Sequence, residues 1–264
     1  MRLPVLPGED HPIDRAEGKR MVDRAIDGGI TYFDTAYGYH NEESEVFVGE
    51  ALKGLRNRVT LTTKLPCWKV EKREDMDALL DTHLLHALNA KSFDKMVSLG
   101  VFEFLDRAQA QGKIRYPGFS FHDDSETFRR IVDAYDWKLA QVQMNILDEH
   151  KQATMDGVRY AAKKGIGIVV MEPLRGGALA KTLPPEVRDI YANAPEQRSS
   201  VEWAFRYLLD NSEFITILSG MSDMQQLEDN LRIFSEAGVD CLSGSQREML
   251  ARVREAYENR VRVG

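Results

Sequence analysis

The sequence predicts an α/β fold in which parallel strands alternate with helices. The chain has 264 residues, of which 43% are hydrophobic and 29% are charged, a composition typical of a globular protein. Short apolar runs alternate along it with amphipathic segments, which is the pattern of consecutive strand–helix–strand units. Because barrels of such units reach about 250 residues as one unit, residues 1–264 are predicted to form a single domain.

The individual elements are predicted in order from caps, chain breakers and apolar runs. Asp14 and Glu17 form a capping-box pattern at the start of the first helix, and Gly28 and Gly29 end that helix. Strands are predicted at residues 30–33, 59–63, 84–85, 118–119, 141–145, 166–171 and 215–218. Helices are predicted at residues 14–25, 44–52, 74–81, 101–111, 125–135, 155–164, 201–209, 224–234 and 246–259, with a pocket-lining loop at residues 89–96.

These strands number one fewer than a (β/α)8 TIM barrel requires. The absent strand is expected to come first, before the opening residues Met1 to Pro4. The helix predicted at residues 74–81 also runs into the strand at Leu84 with almost no connection, where about 2–6 residues are normal. We therefore expect the N-terminal strand, and part of one helix between Leu79 and His83, to be missing from this sequence.

The composition restricts the classes of partner and the cellular location that the sequence predicts. The 35 Lys and Arg residues against 42 Asp and Glu residues give a net charge of −7, which disfavours nucleic acids and anionic membranes as partners. No stretch reaches the about 18 apolar residues of a membrane span. The two cysteines, Cys67 and Cys241, argue against a disulfide framework and predict a cytoplasmic location. A small molecule is the expected partner, and the oligomeric state is not predicted.

Polar residues follow the predicted strands at the point where each strand ends. Since the carboxyl ends of all strands in a parallel barrel share one face, and that face carries catalytic loops, we expect these side chains to meet there. A single lysine after a strand is usually just solvated, but several ionisable types at consecutive strand ends indicate a site. They are Asp34, Lys64, His86, Ser120, Gln143 with Asn145, Glu172 and Gly220.

An ordered set of short motifs resembles the aldo-keto reductase family over nearly the whole chain. No fragment is specific alone, but their common order is. The resemblance implies a (β/α)8 barrel that reduces a carbonyl with hydride from a nicotinamide cofactor, usually NADPH. The motifs are residues 33–39 (FDTAYGY), Ser44-Glu45, residues 49–52 (GEAL), Thr63-Lys64, residues 84–86 (LLH), residues 118–120 (GFS), Gln143 with Asn145, Pro173-Leu174, and residues 220–222 (GMS) with Asn230.

Matched position by position, the resemblance implies a catalytic tetrad. Tyr39 is the implied general acid, protonating the alkoxide that forms when hydride reaches the carbonyl carbon. Lys64, held charged by Asp34, is expected to favour the phenolate of Tyr39, and His86 to orient the carbonyl oxygen. The alternatives are that Tyr37 or Tyr39 is aromatic packing and that His86 is a core imidazole.

The resemblance also implies a cofactor site. Ser120 and Gln143 match residues that bind the nicotinamide carboxamide, and Met171 stands where many members stack an aromatic ring on the nicotinamide. Ordinary core packing is the alternative for Met171, and a plain solvated turn is the alternative for the segment after it. The remaining implied contacts are Leu174, Arg175 and Gly176 with the pyrophosphate, Gly220, Met221 and Ser222 with the adenosine phosphate, and Asn230 with adenine.

Gln226 leaves the choice of dinucleotide open. Family members that hold the 2′-phosphate of NADPH often have an arginine at this position and a lysine near Gly220, and neither cation is present here. Glutamine donates hydrogen bonds but offers no charged fork to a phosphate. The family's usual cofactor favours NADP, with NAD as the alternative.

The motifs are most similar to a bacterial branch of the family whose barrel is followed by a ferredoxin-like tail. We expect an iron–sulfur cluster only if a full-length protein carries such a tail, because four thiolates are needed for one cluster. Cys67 and Cys241 cannot supply them, and no metal ligands are predicted within residues 1–264. Two functions other than reduction are alternatives: a cofactor-binding sensor or docking subunit, and a redox protein with an iron–sulfur module.

Overall fold

The computed structural model describes residues 2–79 and 84–263, with backbone alone for 261–263, and its centre is a parallel β-sheet. Each strand pairs with the strand that precedes or follows it in the chain, as repeated strand–helix units require. The prediction of a parallel α/β fold is confirmed. The strands are β1 (Tyr32–Asp34), β2 (Thr60–Thr62), β3 (Lys64–Leu65), β4 (Leu84–Leu88), β5 (Gly118–Phe121), β6 (Leu139–Gln143), β7 (Gly167–Met171) and β8 (Phe214–Ile217).

Strands β2 and β3 are separated by Thr63 alone and act as one barrel strand. Thr60 in β2 is in register with Tyr32 of β1, while Lys64 in β3 is in register with Leu84 of β4. Residues 60–65 therefore join a two-stranded sheet to a six-stranded sheet. Within the described ranges this makes seven strand positions in chain order, the number predicted for this (β/α)8 barrel. A strand before Met1 stays a prediction.

Helices connect successive strands, and several predictions of their extent need correction. Residues 89–96 are not a loop, because Asn89 caps a helix there and Phe93 and Met96 are buried in the core. The helix predicted at residues 74–81 ends by Ala78, and the predicted gap before His83 lies outside the described residues. The helices are α1 (Arg15–Asp27), α2 (Ser44–Ala51), α3 (Arg73–Ala78), α4 (Ala90–Ser98), α5 (Val101–Ala110), α6 (Ser125–Ala134), α7 (Thr154–Lys163), α8 (Pro185–Ala192), α9 (Ser200–Leu209), α10 (Met224–Glu236) and α11 (Gly244–Val263).

Polar side chains fix where several helices begin. The Asp14 carboxylate accepts a hydrogen bond from the backbone N–H of Glu17 at 3.0 Å, as the capping pattern predicts. Asp223 caps α10 in the same way, through the N–H of Gln226 at 2.8 Å. Such a cap contributes about 1 kcal/mol to the stability of the helix.

Large and small residues alternate from strand to strand in one layer of the sheet. Leu84, Gly118, Leu139 and Gly167 are in register with one another on successive strands. A methyl group added at Gly118 would lie 2.5 Å from the Leu84 side chain, so the leucines occupy the space that the glycines leave. No helix in the described part of the chain is both long and apolar enough to cross a membrane.

Candidate functional site

A buried ion pair lies where β1 and β3 approach each other. The Lys64 Nζ atom donates to Asp34 Oδ1 at 2.7 Å, to Asp34 Oδ2 at 2.8 Å and to the carbonyl oxygen of Thr35 at 2.8 Å. These contacts use all three ammonium hydrogens. The Lys64 side chain is 1% exposed and that of Asp34 is 9% exposed. Burial lowers the pKa of Lys64 and the charge of Asp34 opposes this effect.

Tyr39 lies against this pair but keeps its proton more firmly than the sequence suggests. Lys64 Nζ lies 5.2 Å from the centre of the Tyr39 ring. Burial raises the pKa of Tyr39 above its ordinary value of 10.0, and the charges of Asp34 and Glu172 raise it further. The expectation that Lys64 favours the phenolate stays a prediction, because it concerns the negative charge that appears on Tyr39 during the reaction.

His86, in β4, completes the cluster. Its ring centre lies 6.1 Å from that of Tyr39, in an edge-to-face arrangement, and 5.0 Å from that of Trp68. Burial and the charge of Lys64 lower the pKa of His86 from 6.5 to about 3, so the imidazole is neutral at pH 7. The buried His86 Nδ1 atom has no hydrogen-bond partner. Such an atom is expected where a bound molecule supplies the missing contact.

Trp68 covers the outer side of this cluster. The residue is 55% exposed, which is unusual for so large an apolar side chain, and its ring faces His86. Next to it, Lys69 Nζ bonds the Tyr37 hydroxyl at 2.7 Å, and that hydroxyl donates to Glu42 Oε2 at 2.8 Å. Tyr37 is therefore part of a polar rim, and the tyrosine that faces His86 is Tyr39.

Ser120 and Gln141 stand in register on β5 and β6. The Ser120 Oγ atom accepts a hydrogen bond from the Ala87 N–H at 2.7 Å, which leaves the hydroxyl hydrogen to donate. Gln141 is 2% exposed, and its buried Oε1 atom has no partner. The sequence analysis missed Gln141. A polar side chain in the middle of a buried strand was the signal that could have found it.

Gln143 stands two residues further along β6, and its amide is already engaged by protein groups. Its Nε2 atom donates to Asp148 Oδ2 at 2.8 Å, and its Oε1 atom accepts from Gln152 Nε2 at 3.1 Å. Asn145 Nδ2 donates to the same Asp148 oxygen at 2.7 Å. Both amide atoms of Gln143 are therefore bonded within the protein, whereas the Oε1 atom of Gln141 is buried without a partner.

The turn after β7 carries the next group of predicted residues. Met171 ends β7, half-buried and in register with Gln143. Glu172 has a positive φ of 56°, and its Oε2 atom accepts a hydrogen bond from the Gly176 N–H at 2.6 Å. Leu174 packs against a buried cluster that includes Leu147 and Leu179.

Arg175 follows in this turn as an exposed residue. Its Nε atom lies 3.8 Å from Asp148 Oδ2. The turn therefore offers an exposed cation at the carboxyl end of the sheet, while the N–H groups of residues 175–178 are bonded within the turn.

A second group of predicted residues lies at the start of α10. The Gln226 Oε1 atom accepts from the Ser222 N–H at 3.0 Å, and its Nε2 atom donates to Asp223 Oδ2 at 2.6 Å. Asn230, one turn further and 8% exposed, donates to Ser219 Oγ at 3.0 Å.

The loop before α10 lies against the beginning of the chain. A methyl group added at Gly220 would lie 2.7 Å from the Arg2 Cβ atom. Met221 packs against the cluster that contains Leu3 and Leu227. The structure therefore groups residues 220–222 with Gln226 and Asn230, as the sequence analysis expects. Within residues 2–79 and 84–263, no group of three or more His, Cys, Asp and Glu side chains is arranged to hold a metal ion.

Comparisons with known proteins find a matching family model and relatives along most of the chain. The profile of the aldo/keto reductase family matches residues 5–240. L-Galactose dehydrogenase of Arabidopsis thaliana is 26% identical over 94% of this chain and 86% of its own length. The NADH-specific methylglyoxal reductase of Escherichia coli is 24% identical over 84% of this chain and 83% of its own.

Solved structures share the fold. An aldo/keto reductase from Klebsiella pneumoniae, in complex with NADP and acetate, superposes with a TM-score of 0.74 at 21% identity, over 96% of this chain and 90% of that chain. The holo form of an aldo-keto reductase from Bacillus halodurans gives 0.73 at 23% identity, over 91% and 88%.

Proposed function

The chain belongs to the aldo/keto reductase family and is an oxidoreductase, and we propose that it reduces an aldehyde or ketone to an alcohol with Tyr39 as the general acid. One observation carries this proposal: Asp34, Tyr39, Lys64 and His86 converge from three strand ends on one point. A phenol, a neutral imidazole and a buried ion pair at that point suit the protonation of a carbonyl oxygen.

The residues present fit a nicotinamide ring. A carboxamide has one oxygen that accepts and one NH2 group that donates, and Ser120 and Gln141 offer the complementary hydroxyl hydrogen and Oε1 atom side by side. We therefore assign the carboxamide contacts to Ser120 and Gln141, with Gln143 beside them, two residues nearer the carboxyl end of β6. When bound, the reduced dinucleotide supplies the hydride. Met171, at the end of β7, is proposed to pack on the nicotinamide ring.

Tyr39 and His86 divide the work at the substrate oxygen. The neutral imidazole of His86 donates one N–H to the carbonyl oxygen and orients it. Tyr39 keeps its proton throughout the neutral range, because its pKa is raised by burial. An alkoxide is a stronger base than a phenolate, so the proton leaves Tyr39 only when the alkoxide forms. Proton transfer is thereby tied to hydride transfer.

The Asp34–Lys64 pair provides the positive environment for the phenolate that Tyr39 becomes. Lys64 stays fixed by three hydrogen bonds, so no reorganisation is needed when negative charge appears on the tyrosine oxygen. Asp34 is needed because an unpaired ammonium at this depth would lose its proton.

We propose NADP as the cofactor, on the support of the Klebsiella pneumoniae relative solved with NADP. In this assignment Leu174, Arg175 and Gly176 contact the pyrophosphate, while Gly220, Met221, Ser222, Gln226 and Asn230 contact the adenosine end. NADH is the second candidate, because Gln226 is bonded to the carboxylate of Asp223, and a carboxylate repels a 2′-phosphate.

The proposal also covers the class of substrate and the cellular location. A small carbonyl compound is the proposed substrate. The cytoplasm is the proposed location, since Cys67 and Cys241 are both free thiols. A sensor role and an iron–sulfur module stay the alternatives to this function.

Fluorescence titration with NADPH and NADH in parallel, followed by turnover with methylglyoxal and L-galactose, tests the proposal. We expect binding of at least one dinucleotide at micromolar concentration, with oxidation of the reduced coenzyme by a carbonyl substrate or reduction of the oxidised coenzyme by the corresponding alcohol. Binding without any turnover would favour the sensor role, and absence of binding would reject a nicotinamide site.

A further inference from the structure

A buried carboxylate behind the proposed cofactor site is not used by the chemistry above. Asp148 follows β6 and its side chain is 1% exposed. Its Oδ2 atom accepts from Gln143 Nε2 at 2.8 Å and from Asn145 Nδ2 at 2.7 Å. Lys151 Nζ lies 3.4 Å from Oδ1, which has no hydrogen-bond partner. Burying a carboxylate is costly, so its presence here calls for a purpose.

The charge of Asp148 selects the orientation of both amides. Burial raises the pKa of Asp148, but the hydrogen bonds from Gln143 and Asn145 together with the charges of Arg175 and Lys151 lower it more, so the carboxyl is ionised at neutral pH. An ionised carboxylate only accepts hydrogen bonds. Each amide must therefore turn its NH2 group toward Asp148 and its oxygen away. A neutral side chain at this position would accept either orientation.

The selected orientation of Asn145 holds the turn after β7. The same Nδ2 atom that bonds Asp148 also donates to the carbonyl oxygen of Glu172 at 3.0 Å. Asn145 Oδ1 accepts from the Leu147 N–H at 2.9 Å, so the whole amide is fixed. Glu172 has a left-handed φ of 56°, a conformation that persists only when the surroundings enforce it.

The selected orientation of Gln143 extends the network to the other side of β6. Its Oε1 atom accepts from Gln152 Nε2 at 3.1 Å, and Gln152 Oε1 lies 3.2 Å from His122 Nδ1. Asp148 is thus the one acceptor on which donors from the end of β6 converge, with the proposed pyrophosphate turn held through Asn145.

We propose that Asp148 is a positioning residue that preorganises the turn of residues 172–177 for the pyrophosphate of the cofactor. The proposal rests on the proposed function. It acts through Asn145 and the Glu172 carbonyl, and through the Arg175 side chain, whose Nε atom lies 3.8 Å from Asp148 Oδ2; Asp148 itself touches neither cofactor nor substrate. The proposed adenosine contacts Gln226 and Asn230 are bonded instead to Asp223 and Ser219, so the influence of Asp148 is expected in one half of the dinucleotide site.

Asp148→Asn tests this inference, because it keeps the size of the side chain and removes the charge. We expect the Kd for the reduced dinucleotide to rise about 10-fold, while the competitive Ki of AMP, which reaches only the adenosine end, stays unchanged. Hydrogen exchange of the Arg175 and Gly176 amides should accelerate, with exchange in α10 unaffected. Asp156→Asn, at an exposed carboxylate on α7, is the matched control and should leave all three readouts unchanged.

The outcomes separate this inference from the function on which it rests. Loss of dinucleotide and AMP affinity by the same factor, or no change in either, would overturn the positioning role while wild-type binding upholds the reductase. No dinucleotide binding by the wild type would overturn both. If Asp148→Asn fails to fold, Gln152→Leu approaches the same network from its half-buried outer end. It should raise the dinucleotide Kd about 3-fold with AMP unchanged, and an unchanged dinucleotide Kd would overturn the inference.

Discussion

Two clusters in this molecule each bury a carboxylate against basic side chains, yet only one has the features of an active site. The first, the strand-end pair, is Asp34 with Lys64. The second, the helix cluster, is Glu202 of α9 with three arginines. Glu202 Oε1 lies 2.9 Å from Arg206 Nε and 3.3 Å from Arg198 Nε, and its Oε2 lies 2.9 Å from Arg232 Nη2. The two carboxylates are alike in burial, at 9% exposed for Asp34 and 8% for Glu202, and each has a basic nitrogen within 3 Å.

The difference lies in what surrounds each carboxylate. Glu202 is surrounded by cations on the outside of the barrel; burial raises the pKa of its carboxyl, but the bonds from Arg232 and Arg206 lower it more. The strand-end pair has one cation for one anion and borders Tyr39 and the unpartnered Nδ1 of His86. A buried ion pair alone therefore does not indicate function. The Glu202 cluster has an unpartnered buried atom as well, Nη1 of Arg198. What distinguishes the strand-end pair is that a phenol and a neutral imidazole, two groups that can give a proton or a hydrogen bond to a substrate, lie beside it.

Lys64→Met should have the largest effect and should strike both activity and stability. The variant removes the fixed cation and leaves Asp34 buried without a partner, which costs about 3–5 kcal/mol of stability. Turnover should fall about 10⁴-fold because the phenolate of Tyr39 loses its stabilisation. Steady-state kinetics and thermal unfolding measure the two losses. Lys53→Met, at an exposed lysine, is the control, and wild-type turnover in Lys64→Met would contradict the proposed mechanism.

Tyr39→Phe should separate chemistry from stability at the strand-end pair. The ring remains and only the proton donor is lost, so turnover should fall about 10³-fold while the dinucleotide Kd and Tm stay near wild type. Tyr116→Phe, at a residue 49% exposed, should change nothing. Equal activity in Tyr39→Phe would mean that another group protonates the substrate.

Glu202→Gln should show the opposite separation in the helix cluster. Removing the shared anion leaves Arg198, Arg206 and Arg232 facing one another, and we expect a loss of about 3 kcal/mol of stability, or about 9 °C in Tm. The kcat of the folded enzyme should stay at the wild-type value, with Glu248→Gln as the exposed control. A fall in kcat at unchanged Tm would show that the two clusters are functionally connected.

Lowering the pH should reduce the free energy of unfolding through the protonation of His86. The folded protein holds the pKa of His86 at about 3, below its ordinary 6.5. As the pH falls from about 6.5 to 3, the unfolded chain takes up a proton that the folded chain resists, so stability is lost across that window. Denaturant unfolding at several pH values measures this slope, and His86→Gln should flatten it. The pH profile of kcat/KM between 5 and 9 should carry no limb from His86 or Tyr39.

The smallest expected effect is on coenzyme choice at the start of α10. Gln226→Arg places a cation beside Ser222, and the preference for NADPH over NADH should rise about 10-fold. Parallel Kd measurements with both dinucleotides check this. Gln225→Arg, a neighbouring exposed position on the same helix, is the control for net charge alone.

The strand-end residues could be predicted because residues that follow the strands of a parallel barrel all lie on the same face of it. Asp34, Lys64 and His86 each follow an apolar run, and that alone brings them to one face. Gln141 could not be found this way, because it lies inside a strand and only the lack of a partner for its Oε1 distinguishes it. Pairings across the chain, such as Asp148 with Gln143, depend on a turn whose course no local pattern specifies.

Helix boundaries were predicted where side-chain caps are strong and missed where packing decides. Asp14 marked the start of α1 correctly. The segment at residues 89–96 has a cap in Asn89, but its apolar residues were interpreted as pocket lining when Phe93 and Met96 in fact face the core. Tertiary burial supplied that helix's stability, and local pattern does not report it.

The two glycines in the layer of Leu84, Gly118, Leu139 and Gly167 differ in whether evolution can substitute a larger residue. At Gly167 an added methyl group would meet the tip of the Ile215 side chain at 2.6 Å, and a smaller residue at 215 would admit it. At Gly118 it would meet the backbone oxygen of Leu139 at 2.6 Å, which no substitution removes. Gly167 and Ile215 can therefore drift as a compensating pair. Gly118 cannot be substituted in this way. The spacing of the strands that carry His86, Ser120 and Gln141 is therefore fixed as well.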